Sequence, residues 1–469
     1  MQAKSLDELW KHVAGALQVE GDDVTVVDEA LLQEKVDGVV YTAVFAEGLA
    51  RDTARWLLWE TGQQLGIYPA SIHELYMAIG CGDVPHTFTV PAINVRGMNF
   101  NTSRAIFRAA NKYNAGALLL EIARSEIGYT GQRPSEYVAS LIGAAIKEGF
   151  HGPLFIQGDH FQVSPKGYKA DPEKEVNAVK ELMQEAVAAG FYNIDIDTST
   201  LVDLSFDTLD EQQRINYTLS AELTKFARQI EPEGITISLG GEIGEVGHKN
   251  STVAELHAFM QGYRRECGDI QGISKISVQT GTSHGGVVMS DGTLAQVKVD
   301  FNTLHDLSRA ARDDYNIGGA VQHGASTLPA EAFHKFPEIG TVEIHLATGF
   351  QNMIYDHAPQ EIVTAAYDYI LANKKQEWKE GKSEEQFFYS TRKKAFGPLK
   401  KQWWDLLQAD QIKIGAVLQE QFEFLFDQLK IQDTREIVNG VTTIIKQHRT
   451  RPLQAAKETE LETAADLAD

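Results

Sequence analysis

Six side chains that could bind a metal ion or move a proton follow short β-rich runs in this sequence. Three are histidines and three are carboxylates: Asp159, His160, Asp197, Glu242, His284 and His323. Taken singly, each has a simpler explanation, because a lone histidine is often a core residue and a carboxylate after a strand is often a helix N-cap. If the strands form a closed barrel, however, all six meet at one rim. Three imidazoles there would bind Zn²⁺ or a similar ion and leave positions open for substrate oxygens.

Glycine and hydroxyl residues accompany these groups. Such segments form tight turns, and they also let backbone N–H groups approach an anion closely. In a barrel, the segments after the last strands commonly bind phosphate. Here Gly324, Ser326, Thr348 and Gly349 lie at the ends of the last two runs or just after them, and Gly281, Gly285 and Gly286 lie at the end of the sixth run or just after it. A phosphate or a hydroxylated sugar could use the same groups.

The elements that must position these residues are eight β-rich runs separated by helical segments. The runs are 88–95, 117–122, 153–160, 192–199, 236–244, 274–281, 320–325 and 341–349. One intervening helix begins clearly, with Asp171 as N-cap and Pro172 at the first helical position. Eight alternations predict an α/β fold, a (β/α)8 TIM barrel. An open doubly wound sheet is the alternative, but the sequence has no glycine-rich dinucleotide fingerprint.

The segments on either side exceed what a barrel needs. We expect a mostly helical N-terminal extension over 1–87, with the apolar run 39–46 as a candidate short strand. The barrel would occupy 88–357, and a helical, more polar C-terminal extension would occupy 358–469. We expect these extensions to cover the barrel or to form the interface of a homo-oligomer.

The composition narrows the choice of partners. The chain has 469 residues and a formal net charge of −22, so nucleic acid and anionic membranes are disfavoured and an anionic substrate needs a local positive site. The two cysteines, Cys81 and Cys267, have no metal-ligand or disulfide pattern. Neither a signal peptide nor a membrane-spanning stretch is recognisable, so we expect a cytoplasmic protein that acts on a small molecule.

The motifs in residues 88–350, taken in order, resemble those of the class II, metal-dependent fructose/tagatose-bisphosphate aldolase superfamily. They are PAINV, GDH, DTS, GEIG, GTSHGG and QHGAS. The stretches QGDH, GYTG and IDIDTST also resemble the branch of tagatose-bisphosphate aldolase accessory subunits, and a tagaturonate epimerase branch shares the barrel. Order and strand placement make the resemblance specific.

The resemblance implies a role for each matching residue. His160, His284 and His323 would bind the catalytic divalent metal, Zn²⁺ by first expectation, with Co²⁺ or Mn²⁺ as alternatives. Asp159 would be the acid/base that handles the proton of the C4 hydroxyl. Asp197 and Glu242 would orient ligands or hold an alternative metal position. The residues expected on the substrate side are Asn94, Gln157, Gly285, Gly324, Ser326, His345 and Thr348.

The sequence also departs from the family pattern. Gln157 stands where a histidine is usual, and the lysine, asparagine and aspartate of the eighth strand are replaced by Glu343, His345 and Ala347. A loop glutamate of the family falls near Asn250. Three functions follow: an aldolase that cleaves a ketose phosphate or bisphosphate, a C4 epimerase of a ketose, ketose phosphate or hexuronate that uses the same cleavage, and a non-catalytic aldolase subunit.

Overall fold

The N-terminal segment is mostly helical in the computed structural model, which describes residues 5–244, 249–281 and 299–453. Its elements are α1 (Leu6–Val13), β1 (Leu17–Glu20), β2 (Asp23–Val26), α2 (Glu29–Phe45), α3 (Gly48–Leu65), β3 (Ile67–Ala70) and α4 (His73–Cys81). The strand considered for 39–46 is wrong, because residues 39–45 complete α2. This helix packs against α3 and a barrel helix, so apolar residues occur on several of its faces and the run loses its helical periodicity.

Eight parallel strands close into a barrel, which confirms the predicted TIM-type fold. They are β4 (Val90–Asn94), β5 (Leu119–Ala123), β6 (Gly152–Gln162), β7 (Asn193–Asp197), β8 (Ser238–Glu242), β9 (Lys275–Val278), β10 (Ala320–Gln322) and β11 (Glu343–Leu346). Each strand pairs with the next one along the chain, and β11 pairs with β4 to close the ring. The open doubly wound sheet is thereby excluded. The N-terminal strand β3 adds to the outside of the barrel at the first residues of β6.

Helices connect the strands along the outside of the barrel. They are α5 (Asn99–Lys112), α6 (Arg124–Thr130), α7 (Pro134–Lys147), α8 (Pro165–Ala170), α9 (Pro172–Ala189), α10 (Leu209–Ile230), α11 (Val253–Cys267), α12 (Phe301–Tyr315), α13 (Lys335–Glu338) and α14 (Thr348–His357). The predicted start of α9 is confirmed, since the side chain of Asp171 accepts a hydrogen bond from the amide of Lys174 and Pro172 is the first helical residue.

The C-terminal segment folds against the barrel and the N-terminal helices. It contains α15 (Gln360–Asn373), α16 (Glu384–Thr391), a 3₁₀ turn (Arg392–Ala395), α17 (Lys400–Trp404), α18 (Gln408–Gln428) and α19 (Thr434–Val441). Beyond α19 an extended arm crosses α3, where the indole of Trp56 donates to the carbonyl of Arg449 at 2.8 Å and Glu60 accepts from His448 at 2.7 Å. Within the described ranges, none of the helices has the length and apolar character needed to cross a bilayer.

The contact between α2 and α7 shows how closely the N-terminal segment is fitted to the barrel. Val40 on α2 is fully buried against Gly143 on α7. A Cβ placed on Gly143 would overlap the Val40 side chain, with Leu58 of α3 3.5 Å away. The glycine therefore lets the two helices approach each other, although glycine disfavours a helix interior.

We expect Gly143→Ala to lower the free energy of unfolding by about 1–3 kcal/mol, because overpacking outweighs the better helix propensity of alanine. The double variant Gly143→Ala/Val40→Ala should recover part of this loss, since the new methyl group enters the space that valine vacates. Urea unfolding checks both values. Gly440→Ala, on α19 with no atom near the new Cβ, is the control and should not destabilise. Equal stability of Gly143→Ala and the parent would contradict this account of the packing.

Candidate active site

The inside of the barrel is polar and charged. Alternate residues of a barrel strand face its interior, and in most TIM barrels these are branched apolar residues. Here the outward residues, such as Ile194, Ile276 and Ile344, are apolar, and the side chains that meet across the interior are Glu121, Gln157, Asp195, Lys275, Glu343 and His345. These six come from five different strands and make contact across the barrel. The interior is therefore an ionic network and not an apolar core.

Lys275 is the central cation of this network. Its ammonium group is completely buried and lies 2.9 Å from Asp195, 2.5 Å from Glu343 and 2.7 Å from the side-chain oxygen of Gln157. Tyr76, from α4 of the N-terminal segment, donates its hydroxyl to Glu343. Burial alone would raise the pKa of Glu343, but Lys275 and then His345 outweigh it and lower that pKa to about 2. Glu343 is therefore held as a carboxylate.

His345 connects this network to the rim. Its Nε2 lies 2.7 Å from Glu343, and its Nδ1 lies 3.0 Å from Glu121 and 3.3 Å from Asp159. Burial, and secondly the charge of Asp159, raise the pKa of Glu121 to about 8. The imidazole thus bridges two glutamates below the rim and Asp159 on it.

A β-bulge places Asp159 and His160 side by side. Successive residues of a regular strand point to opposite faces. Along β6 the pairing with β7 shifts between Gly158 and Phe161, so that Asp159 and His160 together oppose one residue. His160 has φ 41°, a left-handed conformation that is uncommon for a residue with a side chain. The bulge redirects the strand, so both side chains reach the pocket at the rim.

Asp159, His160 and His323 form a group that could hold a metal ion. One potential ligand atom from each lies within 4.8 Å of the others, and the two imidazole rings have their centroids 4.4 Å apart. His323 also lies beside Ser277, with Nε2 2.9 Å from the hydroxyl oxygen, and its ring is 4.0 Å from that of His345. Imidazole and carboxylate together suit Zn²⁺ and related divalent ions.

Asp197 holds the other side of His160. Its Oδ2 lies 3.1 Å from Nδ1 of His160 and accepts from Gln162 at 2.5 Å, while its Oδ1 accepts from the hydroxyl of Ser199 at 2.7 Å. Burial raises the pKa of Asp197, but the hydrogen bonds from His160 and its neighbours lower it below the ordinary value. A carboxylate on Nδ1 directs Nε2 toward a metal. With its lone pairs used in this way, Asp197 is better placed to orient His160 than to bind an ion.

Glu242 is a further carboxyl group near His160, and together with Asp159 and Asp197 it affects the pKa of that imidazole. Glu242 lies 3.7 Å from Nδ1 of His160, and burial followed by the charge of Asp197 raises the pKa of Glu242 to about 8. Burial lowers the pKa of His160, but Asp159, Asp197 and Glu242 together raise it well above its ordinary value. The same negative field that stabilises a protonated imidazole attracts a metal cation to this position.

A pocket of about 580 Å³ opens above these groups, a volume typical of small-molecule sites. Asp159, His160 and His323 line it, together with four of the residues expected on the substrate side, Gly324, Ser326, His345 and Thr348. Two others are placed beside or below it: Asn94 donates to Glu126 at 2.6 Å, and Gln157 lies in the ionic network. The remaining expected ligands, His284 and Gly285, lie outside the described residues.

Several residues of this site do not belong to the motifs recognised in the sequence. Asp195, Lys275 and Glu121 lie within predicted strands without a predicted role, and Arg96 and Lys393, which line the pocket, have no predicted role either. A signal was present for Asp195 and Lys275. Parallel barrel strands usually read as continuous apolar runs, whereas NIDID and KIS alternate polar and apolar residues. Glu121 stands in the apolar run ALLLEI, which has no such alternation. Lys393 comes from the distant C-terminal segment and had no local signal.

One family model matches this chain in the comparison with known proteins. The sequence model of the family described as fructose-bisphosphate aldolase class-II matches residues 84–407. The comparison with curated proteins found no match. A probable tagatose 6 phosphate kinase from Sinorhizobium meliloti 1021 is a similar solved structure, with 15% identity, a TM-score of 0.52, and coverage of 77% of this chain and 95% of that chain.

Two further solved structures are similar. The fructuronate-tagaturonate epimerase UxaE from Cohnella laeviribosi, in complex with two glycerols, has 11% identity and a TM-score of 0.51, and 73% of this chain and 82% of that chain are covered. The fructose-bisphosphate aldolase from Campylobacter jejuni has 15% identity and a TM-score of 0.48, with 78% and 97% covered. At these identities the likenesses with TM-scores above 0.5 show the barrel fold alone.

We expect Lys275→Met to lower the free energy of unfolding at neutral pH by about 3–5 kcal/mol, because it leaves Glu343 and Asp195 buried without their cation. Adding Glu343→Gln should recover part of the loss by removing one of the two charges. Urea unfolding of both variants and the parent measures the effect. A double variant less stable than Lys275→Met would contradict the assigned ion pair.

The deficit of Lys275→Met should also depend on pH. Glu343 has a folded-state pKa of about 2, below its ordinary 4.5, so it contributes stability that is present above pH 4.5 and lost as the pH falls toward 2. The variant lacks this contribution. The difference between parent and variant should therefore be largest at neutral pH and shrink as the pH is lowered below 4.5. A difference that does not change with pH would contradict the ionised state of Glu343.

Proposed function

The chain belongs to the class II fructose-bisphosphate aldolase family, and on that premise we propose that it catalyses the reversible, metal-dependent retro-aldol cleavage of a ketose phosphate or bisphosphate. The products would be a dihydroxyacetone-type ketone and an aldehyde. The observation that carries the proposal is the convergence of Asp159, His160 and His323 at the floor of one pocket. The family is one of enzymes, and this arrangement retains groups that such chemistry requires.

The residues present are suited to a divalent cation. His160 and His323 are the imidazole ligands of the proposal, His284 is the third imidazole, from outside the described residues, and Asp197 orients His160 at 3.1 Å. A bound Zn²⁺, Co²⁺ or Mn²⁺ would supply Lewis acidity toward the ketose carbonyl and its neighbouring hydroxyl. Glu242, 3.7 Å from Nδ1 of His160, could orient that imidazole or hold an alternative metal position.

Asp159 is the proposed acid/base. It lines the pocket beside His160, and its carboxylate lies 3.3 Å from Nδ1 of His345. In the cleavage direction Asp159 takes the proton of the C4 hydroxyl, the C3–C4 electron pair passes toward the C2 carbonyl, and C4 leaves as the aldehyde. In the reverse direction the same carboxyl group returns the proton. His345, whose Nε2 lies 2.7 Å from Glu343, holds Asp159 in place from below.

A C4 epimerase is the second candidate, and a particular residue favours it. An aldolase must deliver a proton to C3 after cleavage, whereas an epimerase only turns the aldehyde over and closes the bond again. The family's loop glutamate is expected near Asn250, whose amide donates to Asp300 at 3.0 Å. An amide cannot deliver that proton, so an aldolase would need a nearby group such as Glu245 or His248, which lie outside the described residues. On β11, Glu343 and His345 stand where the family resemblance predicts a lysine and an asparagine, and they give the bottom of the pocket a different set of groups. A non-catalytic subunit is not favoured, because Asp159 and two imidazoles are kept at the pocket.

We expect His323→Ala to reduce bound Zn²⁺ well below one ion per chain and to abolish cleavage of a panel of fructose- and tagatose-type phosphates. Asp197→Asn should keep the ligands but weaken metal affinity about 10–100-fold, since it removes the group that orients His160. Metal analysis after dialysis and a coupled aldehyde assay provide the readouts. His305→Ala, on the exposed face of α12, is the matched control. Full metal content in His323→Ala would reject the proposed ligand set.

Cleavage and epimerisation are distinguished by isotope exchange. Incubation of an accepted ketose phosphate or hexuronate in D₂O should, for an aldolase, place deuterium at C3 of the reisolated sugar and release aldehyde. For an epimerase, the C4 epimer should appear with protium retained at C3. Asp159→Asn should lower either activity by about 10²–10⁴-fold, because both reactions need the hydroxyl proton moved. Neither exchange nor epimer from any substrate of the panel would rule out both candidates.

A further inference from the structure

Lys393 brings a positive charge into the pocket from the C-terminal segment. It lies in the 3₁₀ turn Arg392–Ala395, which packs against α6, and it lines the same pocket as Asp159 and His160. Its ammonium group is 5.9 Å from the centroid of the Tyr129 ring. In the part of the chain that the structure describes, no carboxylate lies within ion-pair distance of Lys393. Lys393 therefore adds a cation from the C-terminal segment to a pocket that is otherwise lined by residues of the barrel.

The other cations of the pocket already have partners. Arg96 lies 2.6 Å from Glu126, and Arg124 lies 2.6 Å from Glu175. Burial, and then the neighbouring charge of Arg96, lower the pKa of Lys393. An ammonium group in such a place is electrostatically unfavourable until an anion binds beside it. In the free protein the charged Lys393 ammonium group is therefore electrostatically unfavourable, and an anionic ligand beside it would remove this free-energy cost.

The topology separates this cation from the carboxylates around His160. Asp159, His160 and Asp197 belong to β6 and β7, and Glu242 ends β8, whereas the second proposed imidazole ligand, His323, follows β10. The strands β4, β11 and β10 are neighbours in the barrel. Arg96 follows β4, Thr348 follows β11 and Ser326 follows β10. Lys393 joins this second group, since Arg96 is a charged neighbour of it. The carboxylates around His160 therefore come from β6 to β8, whereas Arg96, Lys393 and the hydroxyl groups lie on the side of β4, β11 and β10, where His323 also lies.

We propose that Lys393 binds an oxyanion of the substrate, a phosphate monoester or a carboxylate, in this pocket. This inference rests on the proposed function and assigns the residue that would hold the anionic group of its substrate. Lys393 is a specificity-determining residue and takes no part in the proton transfer. Ser326 and Thr348 supply hydroxyl donors on the same side of the pocket. A local cation is also what the net charge of −22 demands for an anionic ligand.

The experiment measures anion binding without turnover. Metal-free full-length protein in a chelating buffer at constant ionic strength is titrated by calorimetry with inorganic phosphate, with glucuronate and, as the neutral reference, with glucose. The parent should bind at least one of the two anions, and Lys393→Gln should bind it about tenfold or more weakly, as expected for loss of a charged hydrogen bond. Lys393→Arg should restore most of the affinity. Lys394→Gln, the adjacent lysine that pairs with Glu377, changes the net charge equally and should bind like the parent.

The outcomes separate this inference from the proposed reaction. Binding of phosphate assigns a phosphate ester, and binding of glucuronate assigns a carboxylate. Equal affinity in Lys393→Gln and the parent, or a parent that binds neither anion, overturns the inference even if aldolase activity is found. Loss of anion binding in Lys393→Gln with no retro-aldol activity in any variant supports the anion site and rejects the reaction. Where turnover exists, Lys393→Gln should raise KM for the anionic substrate about tenfold with little change in kcat.

Discussion

The buried ammonium group of Lys275 is the interaction on which the rest of the site depends. Carboxylates without a cation inside a barrel would be expelled or protonated, because burying an isolated charge is far more costly than burying a pair. Lys275 compensates Asp195 and Glu343 at 2.9 and 2.5 Å, and Gly240 leaves the space in which that pair packs. Glu343 can then remain ionised and hold His345 beneath Asp159. The position of His345 beneath Asp159 is thus tied to a charge balance deeper in the barrel.

Geometry at the rim depends on a second constraint, the bulge in β6. A regular strand would send Asp159 and His160 to opposite faces of the sheet. The left-handed residue at His160 costs conformational energy, and the pairing with β7 and the hydrogen bond to Asp197 at 3.1 Å offset that cost. Local strain is therefore used to bring the proposed acid/base and the proposed metal-binding imidazole to one point. A sequence that kept the residues but lost the bulge would lose this arrangement.

The sequence predicted what is local and periodic. The eight strands follow from β-rich runs between amphipathic helices, and the start of α9 follows from Asp171. The segment 39–46 was misread because burial of α2 on several faces removes its helical periodicity. The ionic network was missed because Lys275 and Asp195 acquire meaning only when strands distant in sequence face each other. Lys393 was missed for the same reason: nothing near it in sequence indicates that its turn lies over the pocket.

The segments outside the barrel are part of the site and do not merely enlarge the protein. Tyr76, from the N-terminal segment, donates to Glu343 below the network, and Lys393, from the C-terminal segment, lines the pocket above it. A short barrel could supply the metal-binding side from its own strand ends. On the other side, Glu343, His345 and Ala347 stand where the family resemblance predicts lysine, asparagine and aspartate, and the barrel cation Arg96 is paired with Glu126 at 2.6 Å. The C-terminal extension adds Lys393 there, and on our proposal its anchoring against the barrel fixes where an anion binds.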